Sequence, residues 1–262
     1  MTALSAQNLT LAYDNRTISR NLDIDIPAGE VTVIVGPNGC GKSTLLRALS
    51  RLLAPSEGHV TLDGDDIRRL GGKEFARRLA LLPQSSQAPP GITVGDLVAR
   101  GRFPHQRLLQ QWSVDDQVAL ERAMAATGIT DFVDRGVDEL SCGQRQRVWV
   151  AMLLAQNAPV MLLDEPTTFL DIAHQLDVLD LLARLNKEEG RTVVVVLHDL
   201  NQAARYADHL VIMSDGAVAV HGPPADILTE GLLGDVFGLD ARVIVDPVLG
   251  NPLVIPIASR TR

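Results

Sequence analysis

Cysteine is scarce in this chain, no apolar run is long, and positive charge is in deficit. Two cysteines among 262 residues, Cys40 and Cys142, provide no disulfide framework. Their positions inside polar segments suggest a reducing compartment. The longest apolar runs, such as VVVVL at 193–197, fall well short of the roughly 20 residues that span a bilayer. Any membrane role is therefore expected to come through a partner. The N-terminal segment MTALSAQNLTL lacks a basic stretch followed by an apolar one, so no signal peptide is expected. A formal net charge of −8 argues against a protein that holds nucleic acid mainly by neutralising phosphates. Internal repeats and low-complexity segments are absent. What is present, at 46% hydrophobic content, suffices for one substantial α/β domain or a domain with an inserted subdomain.

The most informative stretch is VTVIVGPNGCGKST, Val31 to Thr44. A β-branched apolar run ends in a glycine-rich turn that closes on Lys-Ser-Thr, the order strand, turn, helix. Backbone N–H groups wrap a phosphate chain only where side chains do not obstruct them, which is the use of Gly36, Gly39 and Gly41, with Pro37, Asn38 and Cys40 between them. Lys42 supplies a point charge for β and γ phosphates, and the Ser43 hydroxyl, followed by Thr44, can ligate Mg²⁺. From Ser43 to Leu53 the spacing of Leu45, Leu46, Leu49, Leu52 and Leu53 predicts one helical face, so the phosphates would also meet a helix N-terminus. The motif alone is shared by kinases, GTPases and motor ATPases.

Along the chain, the first thirty residues alternate polar and apolar positions and predict short antiparallel strands. HVTLDGDDI at 59–67 adds a strand with an Asp-Gly turn. From about 88 to 155 the period is helical, which reads as an inserted helical subdomain. Strand character returns in VMLLD (160–164), TVVVVLHD (192–199) and HLVIMSDG (209–216), with helices between. Such alternation implies a largely parallel sheet with its chemistry at the carboxyl ends of the strands. The expected fold class is α/β: a P-loop NTPase, RecA-like core with an antiparallel β subdomain and a helical insertion. Residues 1–230 would form this domain. The remainder, 231–262, with RVIVD and LVIPI flanking PVLGNP, predicts a small terminal hairpin.

The strand VMLL delivers two adjacent acids, Asp164 and Glu165. One carboxylate could hold a Mg²⁺ shell and the next orient or deprotonate an attacking water. Alone, such a pair more often caps a helix or sits in a solvated turn; a phosphate loop upstream favours chemistry. His198 ends the strand TVVVVL and would stand near the γ-phosphate, whereas a lone histidine there would more often be packed or solvated. In LSCGQRQRVWVAMLLAQ (140–156), Ser141 with the N–H groups of Cys142 and Gly143 would form a second anion site at a helix start. The plain alternative is an ordinary capped helix.

LSCGQ, Leu140 to Gln144, resembles the signature of ABC transporter ATPases, usually LSGGQ, and stands about twenty residues before the acidic strand. The resemblance extends over nearly the whole chain. Tyr13 matches the aromatic A-loop, Gly36 to Thr44 Walker A, Gln84 the Q-loop and Val160 to Glu165 Walker B. Thr168 to Asp171 matches the D-loop and His198 the switch histidine. The resemblance implies that Tyr13 stacks on adenine, Gln84 senses metal and water beside Ser43 and Asp164, Glu165 is the catalytic base and His198 clamps the γ-phosphate. ATP and Mg²⁺ are the implied cofactors. Two copies would sandwich two ATP molecules, the signature of each completing the site of the other, so a homodimer is implied. Cys142 departs from the usual glycine, and the family arrangement would face it with Cys40 of the second copy.

Between Gln84 and the signature, ITVGDLVARGRFPH resembles the segment that forms a groove for a coupling helix of the permease. GRFPH together with DEPTTFLDIAHQLDVLDLL is similar to ATPases of importers for ferric siderophores, haem and cobalamin, as is the tail FGLDARVIVDPVLGNPLVIP. The resemblance thus implies an ATP-hydrolysing importer subunit for ferric siderophores at the cytoplasmic face of the membrane. Its partners would be an integral permease and, indirectly, a substrate-binding protein, with no nucleic acid. A soluble assembly ATPase of the same family is the rival, separable by co-purification with a permease. A P-loop kinase is disfavoured by LSCGQ and His198, and phosphate transfer to an acceptor other than water would revive it.

Overall fold

The computed structural model describes residues 2–14, 16–106, 112–168 and 170–260. Two compact units emerge, residues 1–69 with 192–262, and residues 70–191. The chain opens with β1 (Thr2–Tyr13), β2 (Arg16–Pro27), β3 (Val31–Val35), α1 (Lys42–Leu49), β4 (Glu57–Leu62) and β5 (Asp65–Asp66). The second unit follows with α2 (Gly72–Arg78), β6 (Leu79–Leu82), α3 (Val94–Ala99), α4 (Val114–Ala126), α5 (Cys142–Ala155), β7 (Val160–Asp164) and α6 (Ile172–Glu189). The first unit is completed by β8 (Thr192–Val196), α7 (Leu200–Tyr206), β9 (His209–Ser214), β10 (Ala217–Gly222) and α8 (Pro224–Ile227). Last come α9 (Glu230–Phe237), β11 (Leu239–Val245) and β12 (Pro252–Ser259). Among the described residues no helix is long and apolar enough to cross a membrane.

In the first unit β3 pairs in parallel with β8 on one side and β9 on the other, and β10 turns back antiparallel beside β9. All five residues of β3 and of β8 are buried. That explains their continuous apolar runs, since a parallel sheet is covered on both faces. A separate antiparallel sheet runs β2-β1-β4-β5. Its Asp63-Gly64 turn has φ of 51° and 88°, the geometry that an Asp-Gly pair adopts in a tight hairpin.

Two local expectations need correcting. The opening strands are not short; β1 and β2 have twelve residues each. Asn8 and Asn21, at φ of 51° and 48°, absorb irregularities that break the alternation without ending the strands. Helix α1 stops at Leu49 rather than running to Leu53. Arg51 turns left-handed at φ 63°, and the Leu52 N–H returns to the Arg47 carbonyl at 2.8 Å. This closing motif outweighs the leucine spacing, and Leu52 is left 61% exposed.

In the second unit β6 and β7 pair in parallel, Leu79 beside Val160 through Leu82 beside Leu163. Helices α3, α4 and α5 fall within the stretch read as helical, with Thr93, Ser113 and Ser141 as side-chain N-caps. An ion pair lies inside this unit. Arg102 Nε donates to Asp116 Oδ1 at 2.8 Å with the two side chains 6% and 5% exposed. Arg102 Nη1 donates to the Ala155 carbonyl at 2.8 Å, and Asp116 Oδ2 accepts from Ser113 N and Oγ.

The terminal segment pairs β11 antiparallel with β12 and is preceded by α9, which the sequence reading did not foresee. Asn201 of α7 holds its outer edge in both directions. The Val254 N–H donates to Asn201 Oδ1 at 2.7 Å, and the Val254 carbonyl accepts from Asn201 Nδ2 at 3.1 Å. Two residues to either side on the same edge stand Pro252 and Pro256.

Candidate functional site

The phosphate loop starts where β3 ends. A Cβ on Gly36 would collide with the Met213 carbonyl oxygen and come within 2.8 Å of Cys40 Sγ, so the backbone passes there only as glycine. Gly39, at φ 78°, faces open space with nothing within 4 Å of a built Cβ. Gly41, at φ 104°, sets the start of α1. The Gly216 N–H, from the β9/β10 turn, donates to the Cys40 carbonyl at 3.1 Å and supports the loop from behind. Lys42 is 6% exposed, and its Nζ donates to the carbonyls of Gly36 at 2.8 Å and Pro37 at 3.0 Å. Thr44 is buried in the first turn of α1, beside Ser43. Burial pushes the Cys40 thiol up, with Lys42 opposing and Asp215 reinforcing the shift. The thiol therefore stays protonated near neutral pH. Pro37, Asn38, Gly39 and Cys40 form one wall of a pocket of about 370 Å³, closed by Ser214, Asp215, Val236 and Phe237.

Tyr13 ends β1 half exposed. Its hydroxyl accepts from Arg47 Nη1 at 3.3 Å, and the guanidinium sits 5.8 Å from the ring centroid. His198 lies exposed two residues beyond β8. Its neighbour Asp199 is the N-cap of α7 and accepts from the N–H groups of Asn201 and Gln202.

In the second unit β7 carries Asp164 at its buried end and Glu165 just beyond. Glu165 has φ of 51°, a left-handed conformation that costs a non-glycine residue about 1–2 kcal/mol. Such strain concentrates where a side chain must be aimed. Gln84 Nε2, following β6, donates to Glu165 Oε2 at 2.7 Å, and Thr168 Oγ1 donates to the same oxygen at 3.3 Å. Sequence reasoning placed Gln84 and Glu165 in one site but missed Thr168 as the second donor. The signal was its place three residues on, within the turn that follows the acid.

Ser141 caps α5 and forms a reciprocal box with Gln144, whose N–H donates to Ser141 Oγ at 3.3 Å while Gln144 Oε1 accepts from Ser141 N at 3.0 Å. The capped-helix alternative thus holds locally, and the N–H groups of Cys142 and Gly143 occupy its positive end. Leu140 is buried, Cys142 is exposed, and Arg145 Nη2 donates to Cys142 Sγ at 3.4 Å. Leu170 packs beside Gly143, where an added Cβ would meet it at 3.5 Å. Asp171 caps α6. The His174 N–H first, and its imidazole second, hold the Asp171 carboxyl below the usual range. Phe169, inside the stretch matched to the D-loop, lies outside the described residues.

A family model described as ABC transporter matches residues 19–168. The ferric enterobactin transport ATP-binding protein FepC of Escherichia coli (strain K12) is 54% identical over 254 residues, 97% of this chain and 94% of that protein. The achromobactin transport ATP-binding protein CbrD of Dickeya dadantii (strain 3937) is 54% identical over 98% of this chain and 95% of its own length. Among solved structures, an inward-facing transporter assigned to the metal-chelate type superposes with a TM-score of 0.83 at 28% identity, covering 98% of both chains. A bacterial ABC transporter cassette solved as a dimer gives 0.75 at 29% identity, over 84% of this chain and 98% of that one. Motif order, fold and relatives of matching length agree, and the chain belongs to the ABC transporter family as one of its ATP-binding subunits.

Proposed function

We propose that this subunit hydrolyses ATP to drive uptake of ferric siderophores through a membrane permease. The observation that carries the hydrolytic role is the Glu165 carboxylate, aimed by a left-handed turn and held at 2.7 Å by Gln84. The substrate reading rests on likeness over nearly the full chain to relatives named for ferric enterobactin and achromobactin transport.

In this reading the N–H groups from Gly39 to Lys42 and the Lys42 ammonium hold the phosphates, and Tyr13 lies against adenine. The hydroxyl of Ser43, the carboxylate of Asp164 and the amide oxygen of Gln84 are hard oxygen donors suited to Mg²⁺. When bound, that ion neutralises charge on the phosphoryl oxygens. Glu165 takes the proton of the attacking water, Gln84 and Thr168 fix its orientation, and His198 holds the γ-phosphate. Leu140 to Gln144 of one copy, with Asp171, serve the nucleotide of a second copy, so the working unit is a homodimer docked on a permease at the cytoplasmic membrane face. A substrate-binding protein delivers the chelate.

Uptake of radioactive ferric siderophore into membranes that contain the native permease is expected with the parent chain and is expected to vanish with Lys42→Ala. ATP hydrolysis without siderophore uptake by the parent would keep the ATPase and overturn the substrate. The dimer has its own test. A thiol oxidant, with ATP present and hydrolysis blocked, is expected to join Cys40 of one copy to Cys142 of the other and give a dimer band on a non-reducing gel. A Cys40→Ser chain that still crosslinks would refute that pairing.

A further inference from the structure

Two histidines outside the nucleotide machinery meet at the open end of the β9/β10 hairpin. His209 begins β9 and His221 stands one residue before the end of β10. Nε2 of His209 and Nδ1 of His221 are 3.2 Å apart, with ring centroids 5.3 Å apart and planes tilted by 48°. The antiparallel ladder fixes both backbones, with Val211 opposite His221 and Leu210 opposite Gly222.

Imidazole nitrogens bind a zinc-like ion at about 2.0–2.1 Å. Two of them on one ion then stand about 3.3 Å apart at a tetrahedral angle and about 2.9 Å apart at a right angle. The observed 3.2 Å lies between these limits. Binding needs neutral imidazole. Burial first, and His221 second, lower the basicity of His209, against the pull of Glu30. In the neutral pair one facing nitrogen donates a hydrogen bond to the other. A shift of that proton to the outer ring nitrogen frees both facing lone pairs with no net proton lost.

We propose that His209 and His221 form a two-imidazole site for a divalent transition-metal ion of the zinc type, with water completing the shell. Among the described residues no cluster of three or more His, Cys, Asp or Glu side chains could hold a metal. The site is therefore weaker than a closed four-ligand structural site. An ion there ties β9 to β10 at the end opposite Asp215 and Gly216, the turn that supports the phosphate loop through the Cys40 carbonyl. This places metal binding on the hairpin behind the nucleotide loop, away from the groups assigned to hydrolysis.

Calorimetric titration of the full chain with Zn²⁺ at pH 7.5 tests the site. One ion per chain is expected, with affinity at that site reduced at least tenfold in His221→Ala and unchanged in His59→Ala. His221 is exposed, so the variant keeps its fold. Saturating Zn²⁺ is also expected to raise the unfolding temperature of the parent by about 3 °C, and that of His221→Ala by less than about 1 °C. Failure of the parent to bind Zn²⁺, or equal affinity and stoichiometry in His221→Ala, overturns the assignment.

Discussion

Glu165→Gln is expected to bind ATP as the parent does and to hydrolyse it about 10²- to 10⁴-fold more slowly, the range over which a positioned general base acts. The substitution keeps side-chain length and the backbone conformation at φ 51°. The new amide oxygen can still accept from Gln84 and from Thr168, which donate to Glu165 Oε2 in the parent. What disappears is the basic oxygen to which the proposed function gives the proton of the attacking water. ATP binding by calorimetry and phosphate release, measured on one preparation, check this. Hydrolysis within threefold of the parent would remove Glu165 from the base role. Joint loss of binding and hydrolysis would instead mean that the carboxylate maintains the turn.

Asp116→Ala is expected to cost about 3–5 kcal/mol of stability, the range for removing one partner of a buried ion pair. Among the described residues it would leave the Arg102 guanidinium, whose side chain is 6% exposed, with the Ala155 carbonyl as its partner. Thermal unfolding should fall by roughly 10 °C. Replacing both residues by apolar ones of similar size should recover much of the loss, because no charge then remains unpaired. The pH dependence has a defined sign. Burial pushes the Asp116 carboxyl up, but Arg102 and then Ser113 more than offset it, and the net shift is downward from 3.8. The parent therefore keeps this contribution above the unfolded carboxyl's pKa and loses it as pH falls through the lower, folded value. The gap between parent and Asp116→Ala should be full near pH 7 and narrow in strong acid. A gap below about 1 kcal/mol at pH 7, by denaturant unfolding, would contradict the buried pair.

The legible parts of this fold were those whose cause is local. The runs at Val31–Val35, Val160–Asp164 and Thr192–Val196 read as strands because a sheet covered on both faces needs uninterrupted apolar residues. Asp63-Gly64 read as a turn because few other pairs adopt two positive φ angles cheaply. Where a single residue changed the backbone hand, periodicity misled. Asn8 and Asn21 let strands continue through apparent breaks, and Arg51 ended a helix whose leucine spacing ran on. Motif order singled out Gln84 and Glu165, but their hydrogen bond, and that of Thr168 to the same carboxylate, depend on the turn after β7. The pairing of Arg102 with Asp116 was not read from the sequence, since nothing in a linear pattern reports that two side chains are buried together.

The clamp on β12 governs how the chain behaves in company. Exposed hairpin strands invite another strand to dock, which is the route to fibrils and exchanged dimers. Here Asn201 already occupies the donor and the acceptor of Val254, and prolines 252 and 256 have no N–H to offer. An incoming strand would find three consecutive outward positions with no free donor. The hairpin can thus leave Ile255 and Ile257 in water without seeding aggregation along this edge, so crowding need not turn exposed apolar surface into precipitate.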